Sequence, residues 1–460
     1  MPYNYNTPED RAEMLAAIGA PSVDSLFSAI PDELRFSGTL DLPRALGEIE
    51  LDRHLRELAG KNASSATHVC FLGGGSYDHF IPAAVDTIGS RSEFYTSYTP
   101  YQAEVAQGNL QAMFEYQSMV TRLTGLDVSN SSLYDGGSAA AEAVLMALDV
   151  TKRTRVVMLE SVHPEFRLTI ETYLKNLNAT ATTVATPQGT ADVSEVLGEL
   201  DDSTACLVVQ HPNFFGSLEE ARALADAAHE AGAVVIAVFD PISLGLLERP
   251  GDWGADIAVA EGQSLGSPMA YGGPYLGILA CRQDFVRRMP GRIVGQTTDR
   301  RGNPCFVLTL QTREQHIRRD KSTSNVCSNQ ALFALRATVY LSLIGSRGLR
   351  EIANLCLQKS HYLASQLAQT DRFEMAFATP TFKEFVVRDR AGQVEQLVSD
   401  AAKQGFLAGI PLGQWYPWLD DCMLVCVTEK RTRAEMDRLV EILETGAAKA
   451  TADELLQAGI

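Results

Sequence analysis

The chain has 460 residues, 45% of them apolar, with 19 thinly spread prolines. That is enough to bury a core in two or three domains, so disorder is not its default state. A formal net charge of −18 argues against a sequence-independent grip on nucleic acid, which needs a basic face. The polar start, Met1–Asp10, and the lack of any apolar run of bilayer length predict a soluble, intracellular (cytoplasmic) protein with no membrane partner.

In chain order, Thr7, Pro8, Glu9 and Asp10 form a helix start, with a cap, a proline at the first helical position and acids at the positive end of the dipole. Further helical patterns over Val23–Ile30 and Leu40–Leu58 complete a helical arm, residues 1–65, which must pack on something larger. Residues 66–325 then alternate short apolar runs with helices. Arg155–Met158, Ala205–Val209, Val234–Phe239, Asp256–Ala260 and Leu276–Ala280 read as buried strands. Glu165–Leu177, Val193–Leu200 and Leu218–Ala231 have helical periodicity, and the alternation predicts a mostly parallel α/β sheet covered on both faces.

Residues 326–460 read as a smaller α+β domain. It opens with a long helix (Ser328–Ile344, then Leu349–Leu367), continues through strands near Phe373–Phe377, Phe382–Val387 and Met423–Val427, and ends in a helix capped by Thr432 and Glu435. The eight cysteines lack zinc-type spacing. Cys422 and Cys426, the one close pair, share a strand face and read as core packing, so no metal site is expected.

Three segments can carry chemistry. Gly136, Gly137 and Ser138 open an alanine-rich helix, where free N–H groups can hold an anion; the plainer reading is a tight, well-capped loop. His163 and Asp240 each follow a predicted strand, in the loops where open α/β sheets bind ligands. There an imidazole can stack on a pyridine ring, and a carboxylate can keep the ring nitrogen protonated. Taken singly, the histidine is equally a cap and the aspartate a turn residue.

This order resembles the large domain of aminotransferase-like (fold type I) pyridoxal phosphate (PLP) enzymes, in which an anchoring lysine follows the aspartate. No lysine lies between Lys175 and Lys321. Finer wording resembles the glycine decarboxylase P-protein family: Ser97-Tyr98-Thr99-Pro100-Tyr101-Gln102, the Tyr134–Glu142 loop, Pro268-Met269-Ala270-Tyr271-Gly272-Gly273-Pro274, Thr312-Arg313-Glu314-Gln315-His316-Ile317-Arg318-Arg319 and Ser322-Thr323-Ser324-Asn325-Val326-Cys327. That family is one chain of two homologous halves or two separate subunits. This sequence resembles the lysine-less first half, with Gln263 at the lysine position.

The resemblance implies an oxidoreductase of the glycine cleavage system. Such an enzyme decarboxylates glycine with PLP and passes the aminomethyl group to the lipoyl arm of H-protein, in a complex with a lysine-bearing second subunit that holds the PLP. It further implies a vestigial pocket around Gly136, Gly137, Ser138, His163, Asp240 and Gln263, filled by Met269 or Tyr271, empty, or occupied. Tyr98, Thr99 and Tyr101 are expected to reach the partner's active site, and Ser322, Thr323 and Ser324 its cofactor phosphate, with ordinary interface packing as the plain alternative. Arg282–Lys321 carries ten Lys/Arg against four Asp/Glu. Arg313, Arg318 and Arg319 there are candidates for a partner or carrier surface, or are simply solvated or paired. The competing functions are a non-catalytic scaffold and, last, an autonomous PLP enzyme using Lys321.

Overall fold

Runs of β-branched and small apolar residues, too short for helices, become the centre of a seven-stranded sheet in the computed structural model, which describes residues 6–36 and 38–445. The sheet order is Val128–Ser129, Gly277–Cys281, Ile257–Glu261, Val234–Phe239, Thr204–His211, Arg155–Leu159, Thr180–Val184. The last five of these run parallel, and Gly277–Cys281 runs antiparallel to its neighbours on both sides. The five strands expected from the sequence are the buried ones. Thr180–Val184, an exposed threonine-rich edge, and the two-residue Val128–Ser129 carried no such apolar run.

The chain divides into two compact units, up to Asn62 and from Ala63 onward. Within the first, Thr7 and Asp10 form the expected reciprocal cap of the helix Pro8–Ala17. Two expected helices are corrected: Val23–Ile30 yields only one 3-10 turn, Asp24–Phe27, and the Leu40–Leu58 pattern becomes helical only at Glu48, running to Ala59. Pro43 and Gly47 account for the late start, since proline disfavours helix in the residue before it and glycine resists helix. The first five residues of the polar N-terminal stretch lie outside the described residues.

In the second unit, the helix Gly136–Thr151 lies against the sheet with most of its residues buried, and its small side chains permit that closeness. Ile293–Thr298 and Pro304–Thr309 form a hairpin that the sequence reading did not identify. The helix Ala331–Ala368 is broken at Gly345, whose φ of 57° is non-helical. Its first part packs Ala337 and Tyr340 into the core of the large sheet, and its last part packs Leu363 and Leu367 into a second core. That second core covers a four-stranded antiparallel sheet, ordered Phe373–Met375, Glu384–Asp389, Cys422–Cys426, Ile410–Pro411. Cys422 and Cys426 are buried free thiols within it. The final helix Arg433–Thr445 carries the Thr432–Glu435 cap, at 2.6 and 3.2 Å. No helix among the described residues is long and apolar enough to cross a membrane.

Candidate functional site

The strand ends converge. His163 follows Arg155–Leu159 and caps the helix Pro164–Leu174, Asp240 ends the loop step after Val234–Phe239, and Gln263 follows Ile257–Glu261. His163, Asp240 and Glu261 line one cavity, and Gly136 reaches it through a hydrogen bond to Glu261. The cavity measures about 30 Å³. That admits roughly one or two waters, not a pyridine ring.

Each place where the sequence suggested a cofactor contact is occupied by a side chain of this chain. At the anion-binding helix start, the Gly136 N–H donates to Glu261 Oε2 at 3.0 Å, while Glu261 Oε1 accepts from the N–H groups of Gln263 and Leu276. Burial pushes the Glu261 carboxyl up to about 7 despite these donors. Ser138 spends its N–H and hydroxyl on Asp135. A β-carbon on Gly136 would lie 2.6 Å from Phe166 and 2.8 Å from the Glu261 nitrogen, so the contact requires glycine.

Where a ring would stack on His163, Phe166 does so, with centroids 4.7 Å apart and planes 21° apart. His163 Nε2 donates to the Gly74 carbonyl at 2.8 Å, and Nδ1 accepts from the Glu165 N–H at 3.2 Å. Those bonds fix the neutral tautomer, and burial lowers its pKa to about 4.

Where a ring nitrogen would meet Asp240, Lys383 Nζ stands 2.8 Å from Asp240 Oδ2. Lys383 is 1% exposed, lies 3.3 Å over the Tyr77 ring and is 3.1 Å from His79 Nε2. Burial, the largest single influence, opposes its charge, but Asp240 together with Cys426, Cys356 and Glu384 outweighs it and raises the pKa. His79 Nδ1 in turn meets Glu429 at 2.6 Å, giving a buried chain Asp240–Lys383–His79–Glu429. Cys356 lies beside Glu429, and the His79, Cys356 and Glu429 ligand atoms fall within 4.8 Å of one another. The ammonium adjoining His79 opposes a metal cation there, and the hydrogen bonds already satisfy the group.

Gln263, expected at the lysine position, is 1% exposed. Its carbonyl accepts from the Tyr77 N–H at 2.8 Å, and its amide donates to the carbonyls of Tyr77 and Ser267 at 3.1 and 2.7 Å. Neither Met269, half-buried, nor Tyr271, 75% exposed, fills the pocket. Glu261, Phe166 and Lys383 do. Glu261, an acid ending a buried strand two residues before Gln263, was readable in the sequence. Lys383 was not.

The other predicted residues lie at the surface. Tyr98 and Tyr101 are 79% and 55% exposed, with Thr99 between them half-buried. The Tyr101 ring meets His316 at 5.9 Å and Arg292 at 5.8 Å, which brings this loop to the 311–327 segment. In that segment the Ser322 hydroxyl donates to the Ser324 carbonyl at 2.7 Å, and Ser324 Oγ accepts from the Val326 N–H at 3.1 Å. The Thr323 hydroxyl makes no hydrogen bond among the described residues. Arg313 is turned inward onto the carbonyls of Met289 and Gly291, whereas Arg318 and Arg319 are exposed. Among the ten basic residues of this stretch, only Arg282, Arg288 and Arg292 reach a carboxylate at ion-pair distance among the described residues.

The family model for the glycine cleavage system P-protein matches residues 3–443. A probable glycine dehydrogenase (decarboxylating) subunit 1 of Carboxydothermus hydrogenoformans is 50% identical over 443 residues, covering 96% of this chain and 99% of that one. A crystal structure of an inhibitor-bound glycine decarboxylase (P-protein) of the glycine cleavage system is 41% identical, with a TM-score of 0.84 over 96% of this chain and 99% of that one. A sphingosine-1-phosphate lyase from Burkholderia pseudomallei, 16% identical with a TM-score of 0.65 over 90% and 93% of the two chains, shares the fold alone. The fold is that of fold-type-I PLP enzymes.

Proposed function

The chain belongs to the glycine cleavage system P-protein family, and from that we propose that it is the lysine-less first subunit of a split glycine decarboxylase, completing the active site of a lysine-bearing second subunit. The observation that carries this reading is the filled pocket: Gln263 clamps Tyr77, Lys383 pairs with Asp240 and Glu261 occupies the helix start. PLP does not fit that space. It is held by the second subunit and supplies there the electron sink for decarboxylation.

This chain's part is played at its surface. Tyr98 and Tyr101 offer phenol groups, each with an apolar body and one polar tip, suited to a wet interface that closes over a substrate. Thr323 offers a free hydroxyl to the partner's cofactor phosphate. The exposed Arg318 and Arg319, with no ion-pair partner among the described residues, offer charge to the carrier protein, which brings its lipoyl arm to collect the aminomethyl group. The scaffold alternative draws support from Ser322 and Ser324, whose hydroxyls are already used within their own loop.

Visible absorbance tests the cofactor assignment. After gel filtration with PLP, the chain alone is expected to show no Schiff-base band, and neither is Gln263→Lys, because the other seats stay filled. The complex with the lysine-bearing subunit shows one. A band from the wild-type chain alone overturns the assignment, and a full band from the single Gln263→Lys variant overturns the filled-pocket argument behind it.

A further inference from the structure

The helix Gln107–Thr124 holds the Ile293–Thr309 hairpin through two side-chain amides. Gln107 accepts the Phe306 N–H and donates to the Phe306 carbonyl, both at 2.9 Å. Gln117 does the same with Val294, again at 2.9 Å in both directions. Each amide thus pairs with a strand as a backbone unit would, and Leu110, Met113 and Val294 form a buried cluster at the same contact. Gln107 also donates to the Ala103 carbonyl at 2.8 Å, so one residue anchors both the hairpin and the end of the 97–106 segment.

The tyrosines of that segment meet the head of the hairpin. Arg292, 5% exposed, precedes Ile293, and its carbonyl is held by the Ser131 N–H at 2.8 Å. Its guanidinium lies over the Tyr101 ring at 5.8 Å, and His316 meets the same ring edge-on, at 5.9 Å and 70°. Both groups lean on a single oxygen. Glu314 Oε2 is 3.8 Å from Arg292 Nε and 3.6 Å from His316 Nδ1, and the Glu314 side chain is only 10% exposed.

Burial does not account for this cradle. Tyr101 is 55% exposed, so its ring gains little from leaving water, yet two side chains hold it. A cation over the face and an edge-on ring both restrict its orientation. Its hydroxyl makes no hydrogen bond among the described residues. Tyr98, 79% exposed, has no ring or cation contact among them. Of the two phenols, one is preset and one is free.

We propose that Arg292 and His316, joined through Glu314, are positioning residues that fix Tyr101 before the partner subunit binds, so that its hydroxyl enters the shared active site already ordered. The cradle is a property of this chain alone. That it serves catalysis rests on the function proposed above.

Two measurements separate the cradle from its purpose. In the isolated full chain, amide hydrogen exchange of the 97–106 segment is expected to quicken about tenfold in His316→Ala and in Arg292→Lys, which keeps the charge but loses the planar face. His316→Phe, which keeps an edge-on ring, is expected to restore protection. His316 is exposed, so its variants are expected to fold, and they carry the test if Arg292→Lys does not. In the complex reconstituted with the lysine-bearing subunit, His316→Ala is expected to lower kcat for glycine–carbon dioxide exchange about five- to tenfold with KM for glycine little changed. That loss is expected to vanish when Tyr101→Ala is already present. Arg301→Gln, at an exposed position in the same basic stretch, is expected to change neither measurement. Unchanged hydrogen exchange in the cradle variants overturns the cradle. An equal loss of kcat from His316→Ala with and without Tyr101→Ala overturns positioning through Tyr101. Faster hydrogen exchange beside full activity of the complex keeps the cradle and overturns its catalytic purpose.

Discussion

The filling of the pocket at the strand ends is decided at single positions. Asp240 has a cation opposite it, Lys383, which is delivered from just before the strand Glu384–Asp389 of the other sheet. Gln263 was legible because a missing lysine is visible in a sequence. Lys383 was not, because Thr-Phe-Lys-Glu-Phe reads as a strand turning a charged residue to solvent, and its partner lies far away along the chain. Lys383→Met strands a buried carboxylate and is expected to cost about 3–5 kcal/mol of stability, while Lys383→Met/Asp240→Asn recovers much of it. Urea denaturation of the four proteins in the cycle checks this, and simple additivity would contradict the pairing. Glu142 gives a second test at this scale. It is 4% exposed, and burial raises its carboxyl to about 7 against the help of Ser324. A raised acid contributes stability below its unfolded pKa and loses it as pH rises through the folded value. Glu142→Gln is therefore expected to gain on the wild type by on the order of 2 kcal/mol between pH 5 and pH 8. A stability difference that does not change with pH would contradict this.

Elements were legible where burial made their pattern uniform. The central strands, such as Val234–Phe239, are buried at every position and read as continuous apolar runs. Thr180–Val184 lies at the sheet edge and is held by pairing with Arg155–Leu159 rather than by burial, so hydropathy alone missed it. The Ile293–Thr309 hairpin is half-buried: its first strand turns polar after Gly295, while its second carries the apolar run Cys305–Leu308, which the sequence reading left out. The long helix read as two runs separated near Gly345, and the structure breaks there, with φ 57° and ψ −174°, a region essentially reserved for glycine. Nothing lies within 4 Å of a β-carbon built on Gly345, so Gly345→Ala meets conformational cost alone. It is expected to destabilise by about 1–3 kcal/mol, read as a lower melting temperature. An unchanged or higher one would show that the break is not needed to direct the second half of the helix into the small-sheet core.

At the scale of the whole molecule, the chain has the fold of fold-type-I PLP enzymes, and the function proposed for it lies at its surface. The pocket at the strand ends is closed by charges that satisfy one another, while the exposed Tyr101 and the half-buried Thr323 lie beside a basic segment of an otherwise acidic chain. The most direct test is the glycine–carbon dioxide exchange rate of the complex reconstituted with its lysine-bearing partner, comparing the wild-type chain with Tyr98→Phe/Tyr101→Phe/Thr323→Val. Tyr98 and Tyr101 are exposed, and Thr323 is half-buried without a hydrogen bond among the described residues, so folding and assembly are expected to persist. The account predicts no exchange by either subunit alone and at least about a tenfold loss in the variant complex, in the range that single positioned groups contribute to catalysis. Wild-type exchange rates from the assembled variant complex would contradict it and leave the chain a scaffold.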